Sequence, residues 1–538
     1  MEKIQKLISK YICYIVIMLS IPAVRYLFVQ GYFGVSDDLH IGWLFEMDRV
    51  VKMGQFPPRF VPDLSYGFGY PLFTFVYPLP FYVAELFHLI GFSLVNSVKL
   101  VFGLSIPLSM YFMYKLLKIY MKEDWALAGA VLYVYAPYRA LEMFVRGTIG
   151  EIVAFVFFPM IVLSVIKKNP YILALSVAGL VLSHNIMAYM FMSFLLLFVI
   201  LNKSFWVSLK GILLGLLVSS YFWVPAIIES RLMKYDTVFN FYDHFPALKQ
   251  FITPYWGYGA SVPGNYDTMS FYVGMVGLAV ILLGSTIFLI RLKKYIGSEK
   301  IILLWSTAVA LTSIFMMNFR SAWIWQNLPF LPYFQFPWRF LAMITLVSPF
   351  FLIAFSKFKS YKYLPFIVIA GSICLNFNYF KTSEYLGRKD DYYINRYIPF
   401  PTASEEYKKT SEEYLRLPKE AEKRPERNYP RAYTNEQDVR FVIEELNPLN
   451  AKIITESDID FVLSYNKYSY PGWKVTVDGK KVEMISSKPY GQISFLVPSG
   501  SHLVEVKYGE SLMRFIFDLI SLTSFVSVIY LLIKKNGK

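Results

Sequence analysis

The feature that most limits what this chain can fold into is a succession of apolar runs, each close to the length of one membrane crossing. Short segments carrying lysine or arginine separate many of them. A helix needs about 20 residues to cross a hydrocarbon core of ~30 Å at 1.5 Å per residue. Such runs fall at 11–30, 95–117, 124–141, 148–166, 170–184, 186–201, 206–228, 271–290, 300–317, 338–356, 363–377 and 512–533. The stretch from Pro170 to Asn202 is too long for one crossing and is broken by Ser183-His184-Asn185, so two short helices are expected there. The reading is an α-helical polytopic membrane protein with about twelve transmembrane helices.

Charge placement orients it. With the N-terminus inside, the inner loops hold Lys115, Lys118 and Lys122; Lys167 and Lys168; Lys203; Arg291, Lys293 and Lys294; Lys357, Lys359 and Lys362; and Lys534 and Lys535. Basic residues favour the cytoplasmic side, and every inner loop satisfies that rule. Both termini are therefore expected in the cytoplasm of a plasma-membrane protein. The first apolar run is too long for a signal peptide and lacks a small-residue cleavage site, so a retained span is expected.

Of the 538 residues 56% are hydrophobic and only 17% charged. Soluble domains run nearer a quarter charged, so lipid must cover much of this surface. The net charge of +15 lies largely in the inter-run segments. That is the pattern of cytoplasmic loops and not of a nucleic-acid groove, which leaves membrane lipids as partners and no nucleic acid. Cys13 and Cys374 each sit inside an apolar run, so neither a disulfide nor a thiol metal site is expected.

Four large segments collect on the outer face: 31–94, 229–270, 318–337 and 378–511. The first three are rich in aromatics, Pro and Gly, as in ordered loops lying along the outer leaflet. The last begins charged and Pro-punctuated, with Glu405, Glu406, Lys408 and Lys409 on a surface helix. From about 440 the period becomes two. Trp473 to Met484 alternates around Asp478-Gly479, a hairpin turn, and Gln492 to Val497 and His502 to Tyr508 continue the pattern. The expected organisation is a transmembrane module at 1–377 with its first outer loop at 31–94, a small extracytoplasmic β-sandwich at 378–511, and a last helix with cytoplasmic tail at 512–538.

The segment after the first span, Gly34-Val-Ser-Asp37-Asp38-Leu-His40, places two acids and an imidazole just beyond the membrane. Ile41, Leu44, Phe45, Val50 and Val51 then trace a helical stripe ending at Gly54. Ser36 is the expected N-cap of an amphipathic interfacial helix. Two aspartates there also suit the positive end of the helix dipole, a purely structural role. The stretch Tyr66 to Tyr82 is apolar, but its Pro and Gly residues prevent a spanning helix.

An acidic helix start followed by a Pro-aromatic loop resembles the first outer loop of the GT-C-type membrane glycosyltransferases. The resemblance extends, particularly toward the bacterial YfhO-like branch, through Arg146-Gly-Thr-Ile-Gly-Glu151, Leu182-Ser-His-Asn185, Ser219-Ser-Tyr-Phe-Trp-Val-Pro225, Thr253 to Gly259, Gln335-Phe-Pro-Trp-Arg339 and Tyr470 to Gly479. It implies transfer of a sugar from a polyprenyl-phosphate donor to a hydroxyl of a glycan, lipid or protein acceptor on the extracytoplasmic face, with inversion. The acids are adjacent where many relatives have a spaced Asp-x-Asp, so a divalent metal ion is not required by the sequence. No Trp-Trp-Asp signature is present, against an oligosaccharyltransferase acting on peptide sequons.

In that reading Asp37 is the general base, and Asp38 its orienting partner or alternative. Arg146 and Arg339 suit a leaving lipid phosphate, or else anchor lipid headgroups at helix ends. Glu151, one turn into an apolar span, serves catalysis or bonds Arg146. His184 and Asn185 form a satisfied pair between short helices or line a cavity. His40 and Trp338 bind substrate, or face water and anchor at the interface respectively. A lipid or polysaccharide transporter or flippase is the rival from another class, and a non-catalytic assembly protein presenting the β-domain is the third reading.

Overall fold

The structure, a computed structural model, describes residues 2–234, 240–264, 266–410, 412 and 415–536. Residues 235–239, 265, 411 and 413–414 of the expected outer segments lie outside the described residues. The chain is a helical membrane protein with a β-rich C-terminal region.

Among the described residues six helical stretches are long and apolar enough to cross a membrane: Lys3–Phe28, Leu94–Leu117, Ile149–Ile166, Gly297–Met316, Pro337–Ser356 and Leu512–Lys535. A seventh counts if Phe205–Val218 and Ser220–Ser230, bent by 70° at Ser219, form one span. The expected count of twelve is not reached by that measure, and the reason is local. The run at 124–141 is interrupted before Pro137, whose ring cannot continue the helix Glu123–Val134. His184 is extended (φ −165°, ψ 116°) and separates Pro170–Ser183 from Asn185–Leu201, as Ser183-His184-Asn185 suggested. Met275–Ile290 and Leu364–Tyr379 are also shorter than 18 residues.

The first outer loop differs from expectation. Its helix, His40–Lys52, starts after both acids, and its cap position is Leu39 with no side-chain cap bond. Ser36 caps nothing; its backbone N–H donates to the Val145 carbonyl at 3.0 Å. Nor does the helix rest on the membrane surface by one apolar face. Both its apolar Ile41, Leu44 and Met47 and its acidic Glu46 are fully buried. The start of the last outer segment covers it: Tyr397, on the helix Asp390–Tyr397, packs its Cβ 2.8 Å from where a side chain on Gly42 would begin.

That C-terminal segment is woven into the bundle. Tyr32–Phe33 pairs antiparallel with Tyr385–Arg388. The Asp390 carboxylate accepts from the backbone N–H groups of Leu94 and Val95 at 2.8 and 2.9 Å, capping a spanning helix whose own first donors have no intrahelical acceptor.

The β-region has two sheets. One runs Ala432–Tyr433, Phe461–Tyr468, Gln492–Val497, Ile485–Ser487; the other runs Arg440–Asn447, Asn450–Ser457, Gly500–Tyr508, Trp473–Val477, Lys480–Lys481. Alternation decides which residues face inward: Ile453, Leu463, Val475, Phe495, Val504 and Val506 are fully buried. Asp478 and Gly479 both have positive φ (48° and 78°), the backbone a two-residue I′ turn requires, and they join Val477 to its partner Lys480.

One buried ionic clasp fixes this region to the helices, and a second ties the first outer loop to the last helix. Arg514, on the last helix, grips Glu229 through two parallel bonds of 2.8 and 2.7 Å. The Tyr470 hydroxyl donates to the same carboxylate at 2.8 Å, and Arg514 donates to the Tyr508 hydroxyl. Arg59, in the first outer loop, pairs with Asp518 at 2.6 Å and donates to the Tyr221 carbonyl at 2.7 Å.

Candidate functional site

The site is built around one backbone irregularity. Glu142–Arg146 form a π-turn, Gly147 follows at φ 73°, and the helix Ile149–Ile166 then begins. Wide turns of this kind re-aim side chains that a regular helix would bury elsewhere. The carbonyls they leave free are taken by the first outer loop: Ser36 N–H bonds Val145 and Asp37 N–H bonds Arg146, at 3.0 and 2.8 Å. So close an approach needs glycine. A Cβ on Gly147 would lie 2.6 Å from a Val35 methyl. Three residues on, a Cβ on Gly150 would strike the Tyr77 ring at 2.4 Å and the Ser183 carbonyl at 2.5 Å. The spacing of Arg146-Gly-Thr-Ile-Gly-Glu151 thus joins the first loop, the Pro-aromatic loop and the 183–184 break at one point.

An ionic cluster fills that point. Arg146 Nη1 donates to Glu142 at 2.6 and 2.8 Å and to Glu151 Oε1 at 2.9 Å. Arg339 Nε donates to the same Glu151 oxygen at 3.2 Å, and its Nη1 to the Phe334 carbonyl and the Gln335 side chain, both at 2.8 Å. Thr148 donates to Glu142, and the Tyr138 hydroxyl to Glu151 Oε2 at 3.4 Å. His184 Nε2 lies 3.8 Å from Glu151. Its Nδ1 accepts the Met187 N–H at 3.2 Å, so the neutral ring carries its proton on Nε2, toward the carboxylate. The Arg146 guanidinium lies 4.7 Å from the Trp338 ring centre, and Trp338 stacks on Phe336 at 4.9 Å. Among the described residues, Arg146 Nε and Nη2, Arg339 Nη2 and the buried Trp338 indole N–H make no hydrogen bond.

The two adjacent aspartates have different surroundings. Asp38 is buried, and Tyr397 donates its hydroxyl to Oδ1. Arg396 lies 3.9 Å from Oδ2 and donates to the same Tyr397 hydroxyl at 3.1 Å. Asp37 is half-buried, and among the described residues its carboxylate accepts no hydrogen bond and forms no ion pair. Burial pushes the Asp37 carboxyl above its ordinary value, while the Arg146 and Arg339 guanidiniums pull it the other way. Burial also raises Asp38, opposed first by the Tyr397 hydrogen bond. His40 is packed edge-on to Trp43 and Phe81, and burial holds its imidazole down, at about 3, so it is neutral.

Of the nine residues singled out from sequence, Asp37, Arg146, Glu151, His184, Trp338 and Arg339 meet in this cluster. Asp38 turns to the C-terminal segment, and His40 to an aromatic wall. Asn185 is exposed, and its side chain makes no described contact with the cluster. Sequence reasoning missed Glu142, although its spacing four residues before Arg146 on a helix pattern signalled the pair. It also missed Tyr397, Arg396, Tyr77 and Tyr138, which no local pattern marks. Among the described residues no group of three or more His, Cys, Asp or Glu side chains is placed to hold a metal ion.

Comparison with known structures adds a likeness. The fold is similar to the cryo-EM structure of the arabinofuranosyltransferase AftD from mycobacteria. The TM-score is 0.45 at 13% identity, over 68% of this chain and 26% of that one, so the chain spans about a quarter of that protein's length. No family model matches the chain, and no curated protein matches it.

Proposed function

We propose that this protein is a membrane glycosyltransferase of the GT-C type that moves a sugar from a polyprenyl-phosphate donor to an acceptor hydroxyl on the extracytoplasmic face. The observation that carries the reading is the unpartnered, half-buried Asp37 carboxylate, tied by its backbone to Arg146 beside two arginines with unused donors. The motif resemblance of the first outer loop supports the same reaction class.

In this reading the acceptor oxygen attacks the anomeric carbon and its proton passes to Asp37. The bond from that carbon to the phosphate oxygen breaks on the opposite face, and the configuration inverts. Burial raises the Asp37 carboxyl above its ordinary value, and a general base grows stronger as its proton affinity rises. The charge that grows on the departing phosphate meets the free N–H groups of Arg146 and Arg339 and the Trp338 indole. Glu142 and Glu151 position those arginines and take no part in bond-making. Asp38 is a positioning residue, fixed by Tyr397. The cluster holds three acids against two arginines, so it is closest to neutral when Asp37 takes up the proton. In keeping with the loop charges, this reading takes twelve crossings with both termini in the cytoplasm.

The test is transfer by the full chain in proteoliposomes, from radiolabelled polyprenyl-phosphate hexoses and pentoses to membrane glycan and lipid acceptors, with the product anomer read by NMR. The expected result is an inverted linkage from one donor and none in Asp37→Asn. Undiminished transfer by Asp37→Asn, or lipid-sugar translocation with no transfer from any donor, overturns the reading and in the latter case favours the flippase.

A further inference from the structure

A cleft of about 390 Å³ opens where the β-region meets the first outer loop. It lies at the opposite end of the helix His40–Lys52 from Asp37, and those 13 residues set a separation of about 20 Å. Its size falls in the range of small-ligand sites. Three pieces of chain form it: the turn after that helix with Gln55 and Phe56, the hairpin with Asn447 and Asn450, and the strand end with Lys507 and Glu510.

The lining is specific in kind. Phe56 presents its ring to solvent, 72% exposed, steadied by Tyr82 at a ring distance of 5.7 Å. Gln55 is fixed in orientation, its oxygen accepting the Phe60 N–H at 3.1 Å. Asn447 accepts the Leu449 N–H at 2.9 Å, which leaves its amide NH₂ free among the described residues. Glu510 meets Arg59 through Oε1, while its Oε2, though buried, has no hydrogen-bond partner among the described residues. One lysine and one glutamate leave the lining without net charge, which argues against an anion. A fixed amide with free N–H groups on Asn447 and the bare aromatic face of Phe56 together suit a molecule with hydroxyls on its edge and C–H groups on its face.

We propose that this cleft binds a neutral oligosaccharide, the distal portion of the acceptor. The inference rests on the transferase reading for the word acceptor, but binding itself does not.

The probes are neutral linear hexasaccharides of glucose, mannose, galactose and arabinofuranose, followed by saturation-transfer NMR on the full chain in nanodiscs. The variants Phe56→Ala and Lys507→Ala truncate exposed side chains and leave the fold intact. At least one hexasaccharide should bind the wild type and Asp37→Asn equally, and bind roughly five- to tenfold more weakly to Phe56→Ala. Binding of none of the four to the wild type, or unchanged binding in both truncations, overturns the assignment. A chain that binds but transfers no sugar retains the cleft and loses the enzyme. A chain that transfers with an acceptor KM unmoved by Phe56→Ala does the reverse.

Discussion

Replacing Asp37 and Asp38 separately by Asn should separate two residues that sequence alone leaves interchangeable. Asp37→Asn removes a carboxylate that accepts no described hydrogen bond, so the whole loss falls on proton transfer. A positioned base contributes about 10²–10⁴-fold, and initial rates should fall by that factor. Asp38→Asn keeps an oxygen for the Tyr397 hydroxyl and loses only the charge assistance of that bond. The difference between a charged and a neutral hydrogen bond is about 1–1.5 kcal/mol, or roughly five- to fifteenfold. Arg396, 31% exposed and 3.9 Å away, adds little. The two variants should therefore differ by at least about sevenfold in initial transfer rate in proteoliposomes. Thermal unfolding in detergent checks folding. Asp37→Asn should unfold no lower than wild type at neutral pH, because it removes a partly buried charge with no partner. An Asp38→Asn variant as inactive as Asp37→Asn would refute the assignment of the base.

Three further outcomes follow from the geometry. Asp37 must be ionised to accept a proton and its carboxyl is raised; kcat/KM should therefore rise with pH through an acid limb above the ordinary carboxylate value of about 4, and a pH–rate profile with its limb at or below that value would count against it. Glu151→Gln leaves Arg146 paired with Glu142 and Arg339 with no carboxylate bond among the described residues, and breaking a buried pair costs about 3–5 kcal/mol, so the variant should unfold at clearly lower temperature in a detergent melt. Arg514→Met should destabilise by a similar ~3–5 kcal/mol through the stranded Glu229, whereas Arg514→Met with Glu229→Leu should recover most of it, as denaturation of the two variants side by side would show.

Short-range signals were readable from the chain and long-range ones were not. Apolar run length located the spanning helices, and the period-two alternation with Asp478-Gly479 located the sheets and their turn. Arg146 and Glu151 meet because five residues and one π-turn separate them. Helix continuity was overestimated where Pro137 interrupts the run at 124–141, since hydropathy is blind to one broken hydrogen bond, whereas the break at His184 was legible in its polar neighbours. The first-loop helix was read as interfacial because a stripe of apolar residues is the same whether lipid or protein covers it. Here the covering residues, Tyr397 among them, are hundreds of positions away. The same distance hid the Tyr397–Asp38 bond and the Asp390 cap on the helix at 94.

The pairing of Tyr32–Phe33 with Tyr385–Arg388 sets an order of events during synthesis. Asp38 is translated 359 residues before its hydrogen-bond donor. Through most of translation the acidic loop has neither its strand partner nor its tyrosine. A nascent or C-terminally truncated product would thus hold its helices in the bilayer with Asp38 unpartnered and the first outer loop uncovered, and assembly of that loop waits for the last third of the polypeptide to be delivered.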